Sequence, residues 1–151
     1  MIKRLCALIA FVLFSNFSAA QSVAYYPVSS ILSVSTNPET KFWLDARFQT
    51  NSYFSSLATE VAPAINLNDN HKGRFYLGAG VRFNALSAIG NNSDLIEGYF
   101  INAGVRSAPI EKYPQIQFAF ELTPYAASDF ESGLFRSRLG VAYNFSHRKN
   151  D

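Results

Sequence analysis

The chain has 151 residues, enough for one domain, of which 48% are hydrophobic and 16% charged, with a formal net charge of +2. Phe and Tyr together number 22, a content that argues against disorder. Nor is there an electrostatic footprint for nucleic acid: once Lys3 and Arg4 are set aside with the N-terminal segment, eleven basic residues face eleven acidic ones.

That segment, residues 1–20, reads "MIKRLCALIAFVLFSNFSAA". Two basic residues, an apolar run from Leu5 to Phe14 and small residues at Ser18 and Ala20 form the layout of a secretory signal peptide, with Gln21 as the mature start. The run is about ten residues, whereas a spanning helix needs about 20. Cys6 leaves with the signal and lies too early to carry a lipid at a cleavage site. The mature chain therefore has no cysteine, which excludes a disulfide framework and thiolate chemistry.

Residues 21–40 are an N-terminal segment with room for one strand or a short hairpin, Ser22 to Tyr26 with Ser30 to Ser35, although Pro27 interrupts it. From Lys41 the chain falls into segments of roughly nine to twelve residues that alternate with period two, as strands with two unlike faces do. "FWLDARFQT" sets Phe42, Leu44, Ala46 and Phe48 against Asp45, Arg47 and Gln49. "FSSLATEVAPAI" sets Leu57, Thr59, Val61 and Ile65 against Ser56, Ala58 and Glu60, with Pro63 expected to mark a bulge or strand end. "RFYLGAGVRFNA" opposes Phe75, Leu77, Ala79, Val81 and Phe83 to Arg74, Tyr76, Gly78, Gly80, Arg82 and Asn84. In "GYFINAGVR", Tyr99, Ile101, Ala103 and Val105 oppose Gly98, Phe100, Asn102, Gly104 and Arg106. "QIQFAFELTPY" places Ile116, Phe118, Phe120 and Leu122 against Gln117, Ala119, Glu121 and Thr123. Last, "FRSRLGVAYNF" places Phe135, Leu139, Val141, Tyr143 and Phe145 against Arg136, Arg138, Gly140, Ala142 and Asn144.

Alternation does not say which face is wet. In a soluble sandwich the apolar face is the core; in a transmembrane barrel it meets lipid and the polar face lines the lumen. Three features favour the barrel. The segments match the nine to eleven tilted residues that cross a bilayer. The polar faces interleave Arg, Glu, Gln and Asn with Gly and Ala, as a narrow lumen requires. Aromatics gather near segment ends, at Phe42, Trp43, Tyr53, Phe54, Phe83, Tyr99, Tyr125, Phe135 and Phe145, where interfacial girdles would lie.

The terminal "RLGVAYNF" resembles the C-terminal targeting signal of outer-membrane barrels, through Arg138, Gly140, Tyr143 and Phe145. The mature chain as a pattern resembles small outer-membrane β-barrel proteins, the eight-stranded OmpA-like and OmpX-like group, with "YLGAGVRF" similar to their Gly-rich strands. The resemblance implies recognition by the barrel-assembly machinery and closure of the last strand against the first. The expected fold is all-β, an antiparallel up-and-down transmembrane β-barrel at 41–146 with a tail at 147–151. Six strands are clearly readable and an even count of eight requires two from 21–40; the other reading is an extension beside a six-stranded sheet completed by another chain. With both termini periplasmic, the linkers at 50–53, 86–95 and 126–132 are extracellular.

The residues offer no catalytic constellation. His71 sits in the turn-like "NDNHKG" and His147 in the tail, each read as solvated, and neither has the neighbours for a metal site or a nucleophile and base. "NNS" at 91–93 reads as a turn. No enzyme activity and no cofactor are expected. The lumenal charges are Asp45, Arg47, Glu60, Arg82, Arg106, Glu121, Arg136 and Arg138, joined by Arg74. An eight-stranded barrel has an interior just wide enough for side chains, so these charges should pair and plug it. The excess of arginine also suits a bound anion or lipopolysaccharide phosphate near the rim. The expected role is structural or interactive in the outer membrane of a Gram-negative-type envelope, with outer-membrane lipid, the assembly machinery and a membrane protein as partners. The rival readings are a narrow passive channel and a soluble periplasmic ligand-binding barrel.

Overall fold

The computed structural model describes residues 21–50, 58–70, 72–84 and 95–145. Eight strands follow one another: β1 (Ser22–Tyr26), β2 (Ile31–Ser35), β3 (Phe42–Gln49), β4 (Ala58–Asn66), β5 (Arg74–Asn84), β6 (Ile96–Ser107), β7 (Ile116–Ala127) and β8 (Gly133–Asn144). Each pairs antiparallel with its sequence neighbour, and β1 pairs with β8, so the sheet closes on itself. Closure removes the unpaired edges that an open sheet would expose.

The segment 21–40 is thus a hairpin inside the barrel, which begins at Ser22 and not at residue 41. Its β2 strand pairs with β3 through Val34 and Ala46, and β1 receives β8 through Val23 and Tyr143. This settles the count at eight. A six-stranded sheet completed by another chain is unnecessary, because the two five-residue strands fill the gap themselves.

The turns are built by local polar chemistry. Asn37 Oδ1 accepts from the Glu39 N–H at 2.9 Å and its carbonyl accepts from Thr40 Oγ1 at 2.7 Å, an arrangement that caps the β2–β3 connection. Between β4 and β5, the Asn68 amide bridges the turn, accepting from the Phe75 N–H at 2.7 Å and donating to the Gly73 carbonyl at 2.8 Å. Ser30 and Phe130 close the turns after β1 and β7 with φ of 50° and 59°, the left-handed region that most side chains avoid.

Pro63 neither bulges nor ends its strand. It stays paired with Leu44 on β3, and the β4–β5 register is the same on either side of it. Proline's φ suits an extended strand and only its missing N–H is felt, on one ladder. Pro124 behaves likewise: it pairs with Phe135 on β8 while the β6–β7 ladder skips from Tyr125 to Leu122. The described register shift between β5 and β6 lies at Arg82 and Phe83, where Glu97 is the extra residue.

The faces are inverted relative to a soluble core. Phe75, Leu77, Ile101, Phe118, Phe120 and Leu139 are exposed on the outer wall, whereas Asp45, Arg47, Glu121 and Arg138 are buried to 1% or less inside. Outward aromatics stand near both ends: Phe42, Phe75 and Phe145 at one, Tyr99, Phe130 and Phe135 at the other. Trp43 and Tyr125 are exceptions to the expected girdles. Trp43 is 4% exposed and points inward, sharing the parity of Asp45 and Arg47; Tyr125 turns its hydroxyl to the Glu97 carbonyl at 2.9 Å. Tyr53 and Phe54 lie outside the described residues.

Candidate functional site

The inward faces bring together charged side chains that are far apart in sequence. Asp45 and Arg47 stand two residues apart on β3, so both point inward. Arg47 Nε donates to Asp45 Oδ2 at 2.7 Å, and its Nη2 reaches Glu121 Oε1 across the barrel at 2.9 Å. Glu121 Oε1 also accepts from Tyr26 OH at 3.0 Å and from Tyr76 OH, while Asp45 accepts from Ser33 Oγ. Strands β1, β2, β3, β5 and β7 are thereby tied through one buried cluster.

A second cluster surrounds Glu60. Arg138 holds it bidentately, Nη1 to Oε2 at 2.9 Å and Nη2 to Oε1 at 3.0 Å. Arg136 Nη1 lies 3.4 Å and Arg82 Nη1 3.5 Å from Oε1, and Arg47 Nη1 lies 4.0 Å from Oε2. Arg82 is also held by Glu97, Nε to Oε2 at 2.7 Å, and by Gln49 Oε1 at 3.1 Å. The bidentate pair is the strongest geometry available to a guanidinium and carboxylate.

The two remaining arginines have no carboxylate partner among the described residues. Arg106 Nη1 donates to Ser22 Oγ at 3.3 Å, and its guanidinium carbon lies 4.7 Å from the Trp43 ring centre. Arg74 Nη1 donates to the Pro38 carbonyl at 3.0 Å. Their charge is met by π faces and carbonyl oxygen, as cation–π contact permits in a desolvated setting.

Every residue of the expected lumenal set therefore lies on the inner face, in two groups that Arg47 joins through its 4.0 Å approach to Glu60, Asp45, Arg47 and Glu121 in one and Glu60, Arg82, Arg136 and Arg138 in the other, with Arg106 apart beside the aromatic pair. Sequence reasoning missed Glu97, because the bulge shifts the parity that would have revealed it. It also missed Tyr26 and Trp43 as interior groups. For Trp43 the signal was present, since it sits two residues before Asp45. The terminal-strand residues divide between faces. Arg138 is the inward partner of Glu60, and Gly140 makes room for a ring, since an added Cβ would lie 2.6 Å from Tyr26 Cδ1. Tyr143 and Phe145 point outward, their rings edge to face at 4.9 Å.

His71, His147 and residues 91–93 lie outside the described residues. Among the described residues there is no cluster of three or more His, Cys, Asp or Glu suited to a metal ion. No protein-family model, curated protein or solved structure matches this chain.

Proposed function

We propose that this chain is a small integral outer-membrane β-barrel with a structural or protein-interaction role and an interior plugged by its own side chains. The carrying observation is the inversion of faces, with Leu77, Phe118 and Phe120 each more than 40% exposed and Glu121 fully buried. In water such a wall would be a continuous aggregation liability; in hydrocarbon it is the required surface. Strands of eleven or twelve residues in β5 to β8 supply the length, and outward aromatics at both ends supply interfacial anchors.

The plugged interior is supported by packing. The space between Arg47, Glu60 and Arg82 amounts to about 10 Å³, at or below what one water needs. Inward rings lie over glycines of the adjacent strand, as Tyr76 lies over Gly104 and Phe100 over Gly80. The function that follows is non-catalytic: a rigid wall that contacts lipid and neighbouring membrane proteins, with residues 1–20 as the export signal and β8 as the strand the assembly machinery recognises. With the termini periplasmic, the connections after β1, β3, β5 and β7 face outside.

Membrane fractionation with carbonate, followed by gel electrophoresis of boiled and unboiled samples, tests the reading. Retention in the pellet and a heat-dependent shift in mobility are the expected results. Release by carbonate without detergent would make it a soluble periplasmic barrel. Discrete conductance steps from purified protein in a planar bilayer would replace the plug with a channel.

A further inference from the structure

At the end of the barrel away from Gln21 and Phe145 the wall is notched. The β1–β2 hairpin turns back after Tyr26, and β1 pairs with β8 only as far as Val141, so among the described residues β8 from Gly133 to Gly140 is paired on the β7 side alone. Inside this notch lies a cavity of about 380 Å³, within the size range of small-molecule sites. Three arginines line it, Arg82, Arg136 and Arg138, together with Ser29, Ile31 and Gln49; Ser137 borders it too, its side chain sharing the outward parity of Phe135 and Leu139. Among the described residues no carboxylate lines it. Glu60 and Glu97 lie behind the arginines and are engaged by them.

Arg136 is the group left over. Of its five N–H donors, one reaches Glu60, at 3.4 Å, and the guanidinium lies 4.4 Å over the Tyr125 ring, which fixes its plane. Its other donors have no partner among the described residues. Arg138 by contrast spends two donors on Glu60, and Arg82 is held by Glu97 and Gln49. A partly desolvated, oriented guanidinium beside two others, with Ser29 and Gln49 at the same cavity, suits a planar or tetrahedral oxyanion.

We infer that this notch binds a phosphoryl-bearing anion, with Arg136 as the principal ligand and Arg82 and Ser29 completing the cradle. The inference does not depend on the membrane reading, because the notch is a feature of the rim of the closed barrel. The site opens beside the rim, so the phosphoryl group can come from a free solute or from the headgroup of a lipid reaching over it.

The test is protection of Arg136 from phenylglyoxal, mapped by mass spectrometry on the full folded protein in an uncharged sugar-headgroup detergent. Inorganic phosphate at ten times its dissociation constant should slow the modification about tenfold, and chloride at equal ionic strength should not. Protection by free phosphate assigns a soluble ligand. Protection only in bilayers containing phosphatidate, a phosphomonoester lipid, assigns a lipid headgroup. Absence of protection in both settings, or equal protection by chloride, overturns the site. Arg136→Gln should abolish saturable phosphate binding in calorimetry with the heat-dependent mobility shift retained; should that variant fail to fold, the wild-type protection result decides alone.

Discussion

Glu121 is the residue on which most of the interior converges. Its Oε1 accepts from Tyr26 on β1, Arg47 on β3 and Tyr76 on β5 while it stands itself on β7. Removing one partner from a buried charge cluster strands the others, and we expect Glu121→Ala to cost about 3–5 kcal/mol in reversible urea unfolding from detergent. The exposed Lys72–Glu111 pair at 2.9 Å is the contrast. Lys72 holds the Glu111 carboxyl below its ordinary range, but solvent screens both groups. Lys72→Ala should leave the unfolding midpoint where it is. Gly104 gives a third residue-level case, because an added Cβ would run into the Tyr76 ring. That ring is held by Glu121 and packs edge to face on Trp43 at 5.2 Å, so it has nowhere to go. Gly104→Ala should destabilise by about 1–3 kcal/mol through overpacking, measured by the same unfolding curves.

At the scale of the element, each strand presents one apolar and one polar face, and the medium outside decides which substitutions matter. Leu77 lies outward in the middle of β5, opposite Ala103 on β6. For a lipid-facing position near the midplane, Leu77→Arg should cost about 2–4 kcal/mol in folding into bilayers. For a wall facing water the same change would be close to neutral. Comparing the variant with wild type in lipid vesicles thus reads the orientation directly, and a neutral result would defeat membrane insertion. The two strand prolines show how much the ladder tolerates. Pro63 and Pro124 each keep one neighbour and lose pairing to the other without a change of register, because the missing N–H affects a single edge.

For the whole molecule, closure is uneven. The β1–β8 seam is held by four register pairs, Ser22 with Asn144 to Tyr25 with Val141, whereas β7 and β8 are joined by eleven. The Phe145 N–H adds one bond to the Gln21 carbonyl at 2.6 Å. Local opening is drawn from regions with few backbone bonds, so amides of β1 such as Val23 should exchange with deuterium sooner than those of Phe118 and Phe120 on β7. Uniform protection around the barrel would contradict a weak seam. The short hairpin that makes this seam also lowers the wall and opens the arginine-lined notch, so one feature of length governs both closure and access.

Much of this was legible along the chain. Period-two alternation put Leu77 and Arg82, or Phe120 and Glu121, on opposite faces, because consecutive side chains of any strand must diverge. The inner positions of Asp45, Arg47, Glu60 and Arg138 follow from that rule alone, as does the inward turn of Trp43, which its aromatic character concealed. Tertiary structure decided the rest. Whether Ser22–Tyr26 joins the sheet depends on its meeting β8, more than a hundred residues away, and no local pattern reports such a pairing. The same holds for Glu60 and Arg138, 78 residues apart, and for Glu97, whose inward turn needs the bulge opposite Arg82. Parity is a property of the backbone and survives in the sequence; which charges meet is a property of closure, and exists only once the first strand has found the last.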